Sequence, residues 1–185
     1  MLISIKMKTK LLESFEIPSG VECKYEGEVL HCKKGSVELK RKISVPRVKI
    51  KVDSGKITFE CEKGNKNQFK IIKTHMAHLK NIFSGLDKKY TYNLEACNVH
   101  FPMTLKVDSG KLLINNFLGE KIPRFAIILP NTNVEIKGQK ITVSSHDKEL
   151  AGQTAANMEK ATKVRNRDRR IFQDGIYITD KPGEN

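Results

Sequence analysis

The chain has 185 residues and carries 34 Lys or Arg against 21 Asp or Glu, a formal net charge of +13. It contains no apolar run near the ~20 residues that cross a bilayer, and residues 1–10 alternate short apolar pieces with three lysines, unlike the long apolar core of a secretory signal. Cys23, Cys32, Cys61 and Cys97 stand too far apart for the close pairs of zinc sites, and they read as reduced cytosolic thiols serving as small buried hydrophobes.

In chain order, residues 21–25 and 29–32 read as strands joined by a turn at Glu26-Gly27. Val37, Leu39, Arg41 and Ile43 alternate with the period of two of a half-buried strand. Val48, Ile50 and Val52 repeat that pattern, and Asp53-Ser54-Gly55 supplies a hairpin turn before a strand at 57–61. A helix is expected next, from an N-cap near Asn67 to a left-handed glycine cap at Ser84-Gly85. Phe69, Ile72, Met76, Leu79 and Phe83 give it one continuous apolar stripe. A membrane-surface helix shares that stripe, but the flanking strands need a cover, which favours a core helix. His75 and His78 have no third ligand close in sequence and read as surface or interface histidines.

Tyr90, Tyr92, Leu94 and Ala96 alternate again, and residues 90–101 are expected to close the first sheet and run on to open a second. The string Lys-Val-Asp-Ser-Gly-Lys at 51–56 recurs at 106–111. Both copies read as hairpin turns, in which Gly accepts positive φ and Asp or Ser bonds back to the backbone; the spacing of a phosphate loop is absent. A second helix, capped by Ser145 or Asp147, turns Leu150, Ala151, Thr154, Ala155 and Met158 inward. These small residues let it lie close to its sheet. A strand at 175–178 ends the series.

The chain is written twice. Residues 15–46 align without a gap on residues 99–130, placing Pro18 on Pro102, Gly35 on Gly119 and Pro46 on Pro130 at a constant offset of 84. The same frame sets Lys56-Ile57-Thr58 on Lys140-Ile141-Thr142. Apolar positions agree as well, Ile17 with Phe101, Val21 with Leu105 and Ile43 with Ile127. Duplication of one module accounts for this. The expected fold is therefore α+β, two tandem related modules at 1–88 and 89–185, each an antiparallel sheet packed on one face by a helix.

Excess positive charge concerns partners rather than fold. With aromatics at only 6%, the stacking platforms of single-strand binders are a poor match, and folded RNA held through its phosphates suits the composition better. Residues 1–88 hold 19 basic and 10 acidic side chains, residues 89–185 hold 15 and 11. Yet Lys160, Lys163, Arg165, Arg167, Arg169 and Arg170 crowd together against one acid, Asp168. Arginine suits phosphates that must be gripped with defined geometry, and the run abuts Phe172 and a strand, which fixes its base. In the first half Lys33, Lys34, Lys40, Arg41 and Lys42, with Arg47, Lys49 and Lys51, form either a second phosphate surface or a solvating face. An enzyme is not expected. Cys97 and His100 would project to opposite faces of a strand, and His146-Asp147 lacks the third group that orients a nucleophile and its base.

The string at 164–181, Val-Arg-Asn-Arg-Asp-Arg-Arg-Ile-Phe-Gln-Asp-Gly-Ile-Tyr-Ile-Thr-Asp-Lys, resembles the C-terminal signature of the large-subunit ribosomal protein six family. That family is universal L-six, and the match is to its archaeal and eukaryotic branch, called L-nine in older eukaryotic naming. Asn116-Phe117-Leu118-Gly119-Glu120-Lys121 is similar to that branch's central loop, and His146-Asp-Lys-Glu-Leu150 and the helix at 153–156 also fit. The resemblance runs from about Met7 to Lys181. It implies a structural constituent of the large ribosomal subunit, bound to large-subunit rRNA near the sarcin–ricin loop and supporting the region where translational GTPases act. Neighbouring ribosomal proteins and nearby GTPases are the further partners it implies, with cytoplasmic ribosomes as location and nucleolar assembly in a eukaryote. No cofactor, metal, membrane or small-molecule substrate is expected. By the same resemblance the C-terminal module is the main anchor. It points to Asn116, Phe117, Leu118, Gly119, Glu120 and Lys121 with Arg124, and to Arg165, Arg167, Arg169 and Arg170. Asp174-Gly175 becomes a tight turn into the last strand. Residues 1–6 precede the usual start, and the 33–36 loop lacks a proline often found there. A non-ribosomal RNA-binding or RNA-chaperone protein is the alternative.

Overall fold

The computed structural model describes residues 9–53 and 55–183; residues 1–6 and Ser54 of the first repeated turn lie outside them. The described residues fall into two compact units, divided between Lys88 and Lys89.

The first unit runs β1 (Thr9–Glu16), β2 (Glu22–Glu26), β3 (Val29–Lys34), β4 (Val37–Lys42), β5 (Lys49–Asp53), β6 (Lys56–Gly64) and α1 (Lys66–Asp87). The second runs β7 (Tyr90–Cys97), β8 (Thr104–Asp108), β9 (Lys111–Asn115), β10 (Arg124–Ile127), β11 (Asn133–Lys137), β12 (Lys140–Ser145), α2 (Lys148–Ala161) and β13 (Gly175–Asp180). Each unit divides its strands between two antiparallel sheets. The orders are β1-β6-β5 and β2-β3-β4 in the first, and β11-β12-β7-β13 and β10-β9-β8 in the second. The duplication is visible strand by strand: β7-β12-β11 repeats β1-β6-β5, and β11 stands 84 residues after β5 at both ends. Among the described residues β13 has no counterpart in the first unit.

Alternation builds each core. In the first, Leu30 and Cys32 of β3, Ile57 and Phe59 of β6, and Ile72, Leu79 and Phe83 of α1 are buried together. In the second, Leu112 and Ile114, Ile141 and Val143, and Ala151, Ala155 and Met158 of α2 do the same around Leu94. Burying each Leu, Ile, Val, Phe or Met among them contributes about 1.5–3 kcal/mol relative to leaving it exposed. The α1 stripe is therefore core, although Phe69 at its first turn remains 40% exposed.

Several expectations need correcting. β7 pairs with β12 on one side and β13 on the other. Both of its edges are occupied within the second unit, so it does not close the first sheet. That closure belongs to β1, which pairs with β6 and escaped notice because Glu13 interrupts its inward row. Glu13 is satisfied there by Lys73, Nζ to Oε1 2.8 Å. The first hairpin turns at Gly27-Glu28, one residue later than expected, with φ of 55° and 66°. The N-cap of α1 is Asn65, whose side chain accepts from the Asn67 and Gln68 amides while Gln68 Oε1 accepts from the Asn65 amide. This capping box satisfies donors that Asn67 could not reach. The helix also passes through Gly85 to Asp87, because Leu86 is buried and rewards the extra turn. In the second of the repeated turns Ser109 and Gly110 are left-handed, φ 48° and 74°, whereas Gly55 of the first turn is not. The Ser109 hydroxyl there donates to the Asp108 carboxylate rather than to backbone. Asp147 is the cap of α2, and the Ser145 hydroxyl accepts from the Asp147 amide behind it.

Candidate nucleic-acid interface

α2 ends at Ala161, and its C-cap, Thr162, is buried. The Thr162 hydroxyl accepts from the Ile176 amide at 2.8 Å, so residues 163–175 leave and return at one point. This pinched segment carries Arg165, Arg167, Arg169 and Arg170, all exposed. Arg170 forms a fork on Asp168 (Nη2 to Oδ2 2.8 Å), and Asp168 Oδ1 also accepts from the Arg170 amide. The fork and the amide hold the Asp168 carboxyl below its usual range. The turn lies here, closed by the Ile171 and Phe172 amides on the Asp168 carbonyl, and not at Asp174-Gly175. The Arg167 guanidinium lies over the Phe172 ring, 4.7 Å from its centroid. Arg165 and Arg169 make no ion pair with another described residue.

Asp174 is buried, and it connects this segment to a loop that sequence reasoning passed over. Its Oδ1 accepts from the Val99 and His100 amides at 2.9 and 3.1 Å, and its Oδ2 lies 2.7 Å from His100 Nδ1. The His100 ring in turn stacks on Phe172 at 4.8 Å. The next residue in that loop, Phe101, packs its ring against Gly119, whose φ of 79° no side chain adopts easily. Asn116 donates from its side chain to the Pro102 carbonyl. Loop 98–103 therefore joins the 116–121 loop to the arginine segment. Val99 and Ile171 beside it are 67% and 62% exposed. Two signals were available in the sequence, an aspartate just before the last strand and a His-Phe pair just after β7, but nothing there links positions so far apart.

The 116–121 loop is bent by left-handed residues at Asn116, Leu118 and Gly119. Its members divide. Asn116, Gly119, Glu120 and Lys121 are exposed, whereas Phe117 is buried in the second core and Leu118 half-buried against it. Phe117 is a foot of the loop and not a surface contact. Arg124 is likewise turned inward. Its Nε and Nη2 fork the Glu120 carboxylate at 2.7 and 2.5 Å, and its Nη1 donates to the Ala161 carbonyl at 3.0 Å, over the Phe117 ring. Arg124 thus caps the C-terminus of α2, where orphan carbonyls and the helix dipole favour a cation. The fork holds the Glu120 carboxyl below its usual range, with a smaller contribution from Arg167. Arg124, Lys160, Lys163 and Arg165 line one open groove of about 430 Å³ with Pro123, Ala161 and Phe125.

The first unit arranges its cations differently. On the outer face of β2-β3-β4, Lys33 is in register with Glu22 on one side and Glu38 on the other. Lys40 lies 3.3 Å from Glu38 and Lys42 3.9 Å from Glu28, and Lys34 pairs with Asp87. Arg41 is on the opposite row with Val37 and Leu39; burial lowers the His75 pKa, and the nearby Arg41 charge adds to it. Acids are thus interleaved with the cations of this face.

Residues 101–175 match the family described as ribosomal protein L6. The large ribosomal subunit protein uL6 of Methanococcus vannielii is 40% identical over 172 residues, 93% of this chain and 94% of that protein. That of Methanospirillum hungatei JF-1 is 42% identical over 165 residues, 89% and 94%. The fold and these relatives define a class, the structural, non-enzymatic ribosomal proteins. Within it, the chain belongs to the ribosomal protein L6 family.

Proposed function

We propose that the chain is a large-subunit protein that holds rRNA near the sarcin–ricin loop through its second unit, supporting the region where translational GTPases act. The observation that carries the reading is the groove of Arg124, Lys160, Lys163 and Arg165, continued by Arg167 on Phe172. Lys160, Lys163, Arg165 and Arg169 are the direct phosphate ligands, with Arg167 held in place by its ring. Asn116, Gly119 and Lys121 present a second edge. Arg124 and Phe117 act by shaping it. The sarcin–ricin location and the GTPase neighbourhood rest on the family resemblance, as do neighbouring ribosomal proteins and, in a eukaryotic cell, nucleolar assembly.

Binding to an rRNA fragment containing the sarcin–ricin loop, measured by filter retention across a salt series, tests this. Each phosphate neutralised contributes roughly −0.7 to −0.9 to the slope of log affinity against log salt. Changing Arg165, Arg167, Arg169 and Arg170 together to Ala should weaken binding and flatten the slope, while changing Lys33, Lys40 and Lys42 to Ala should leave it near that of the parent. The reverse pattern would move the binding face to the first unit.

A further inference from the structure

RNA binding makes no use of two thiols in the first unit. Cys23 of β2 and Cys32 of β3 are register partners, and their sulfurs lie 3.3 Å apart. The Gly27-Glu28 turn decides what kind of pair they form. In a two-residue hairpin the residues flanking the turn, here Glu26 and Val29, exchange backbone hydrogen bonds. Pairs then alternate outward, Tyr25–Leu30 without such bonds, Lys24–His31 with them, and Cys23–Cys32 without. At a pair without them the α-carbons approach to about 4.5 Å, inside the ~4.4–6.8 Å that a disulfide spans.

The two sulfurs differ in access. Cys32 is fully buried and Cys23 half-buried. An open cleft of about 600 Å³, walled by Pro18, Gly20, Lys24 and Asp53, reaches Cys23 but not Cys32. The neighbouring Cys32 thiol lowers the Cys23 pKa against the effect of burial, and the same contact together with burial pushes Cys32 up. An accessible sulfur that ionises more readily thus stands in front of a shielded, protonated one.

We propose that Cys23 and Cys32 are a peroxide-responsive dithiol that closes to a cross-strand disulfide. The Cys23 thiolate attacks one oxygen of hydrogen peroxide and breaks the O–O bond. The departing hydroxide takes up the proton released from the thiol, leaving Cys23–SOH and one water. The Cys32 sulfur then attacks the sulfenic sulfur. The S–O bond breaks, and the hydroxyl departs with the Cys32 proton as a second water while the S–S bond forms. Two thiols lose two electrons, and one peroxide is reduced to two waters.

The full chain, folded and reduced, is treated with hydrogen peroxide, then alkylated with iodoacetamide in denaturant and analysed by intact mass and peptide mapping. The expected result is loss of two alkylatable thiols, a fall of about 2 Da for the two hydrogens removed when the mass is taken before alkylation, and a Cys23–Cys32 linked peptide that dithiothreitol reverses. Cys61 and Cys97 remain alkylatable. In Cys32→Ser the reaction stops at a sulfenic acid on Cys23 that dimedone captures. Sulfinic or sulfonic acid on Cys23 of the parent chain with Cys32 still alkylatable would overturn the proposal, as would first oxidation at Cys97. The parent-chain map decides the matter without any variant having to fold.

Discussion

Asp174 and His100 stand 74 residues apart in the chain, yet the aspartate carboxylate gathers two backbone amides and the imidazole into one buried contact. Burial alone would raise the Asp174 pKa, but the His100 ring and the His100 and Val99 amides outweigh it and hold the carboxyl below its usual range. A folded pKa below the unfolded one gives stability that is fully present above the ordinary aspartate value of about 3.9 and is lost as pH falls through the lower folded value. Asp174→Asn should therefore lower stability to urea at neutral pH by about 1.5–3 kcal/mol, the size of a charge-assisted hydrogen bond. It should also remove part of the loss seen on acidification. An unchanged acid limb in urea titrations across pH would show that the carboxylate is not the group responsible. Sequence reasoning found the arginines because charge is conspicuous in a string of letters. It did not find Asp174, His100 or Phe172 as a unit, because a long-range contact leaves no periodicity. The turn of Arg124 toward Glu120 was equally invisible, since a carboxylate fork and a phosphate fork use the same residue.

Among elements, α2 is the one whose composition explains its position most directly. Ala151 and Ala155 are fully buried, and Gly152 faces the Tyr92 ring so closely that an added Cβ would sit 2.9 Å from Oη and 3.3 Å from Cζ. Glycine inside a helix costs about 0.8–1 kcal/mol relative to alanine, and here the close approach to β7 opposes that gain. Gly152→Ala should yield little or no stabilisation in the parent chain. With Tyr92→Phe, which removes Oη, the same substitution should recover about 0.5–1 kcal/mol of coupling, the low end of the range for residues in contact. Additive melting shifts in the four-member cycle would refute the contact. Elements were legible where apolar positions alternated without interruption, as in β5, β6 and β7. They were lost where a polar residue occupied an inward position, as Glu13 does in β1. Ends were misplaced where local side chains decided the matter: Asn65 with Gln68 at one end of α1, and the burial of Leu86 beyond Gly85 at the other.

The whole molecule is a duplicated design in which one copy has been extended. Each unit has its own core, and a domain that buries its own core can fold alone. Residues 89–185 expressed by themselves should give a dispersed amide spectrum and one cooperative urea transition. A broad, non-cooperative transition would show that the second core needs the first unit. The repeat was legible from Pro, Gly and apolar landmarks because one offset preserved both turns and burial. The candidate interface was legible only in pieces, because the loop that contacts both of the segments the sequence singled out is far in the chain from the arginine segment and carries no charge signal.

The clip between Thr162 and Ile176 has a consequence for how the molecule comes apart. β13 lies at the edge of its sheet and touches the rest through β7 and the end of α2, so the arginine segment is the one covalent tie that leads to it. Severing that tie turns a strand of the chain into a ligand. A chain ending at residue 166 should present the open edge of β7, and a separate peptide of residues 172–183 should dock there by strand addition. The joined pieces would then melt at a temperature that rises with peptide concentration. A split protein of this kind would report sheet completion as a titration, with a peptide in which Ile176 is replaced by Asp serving as the strand that fails to bind.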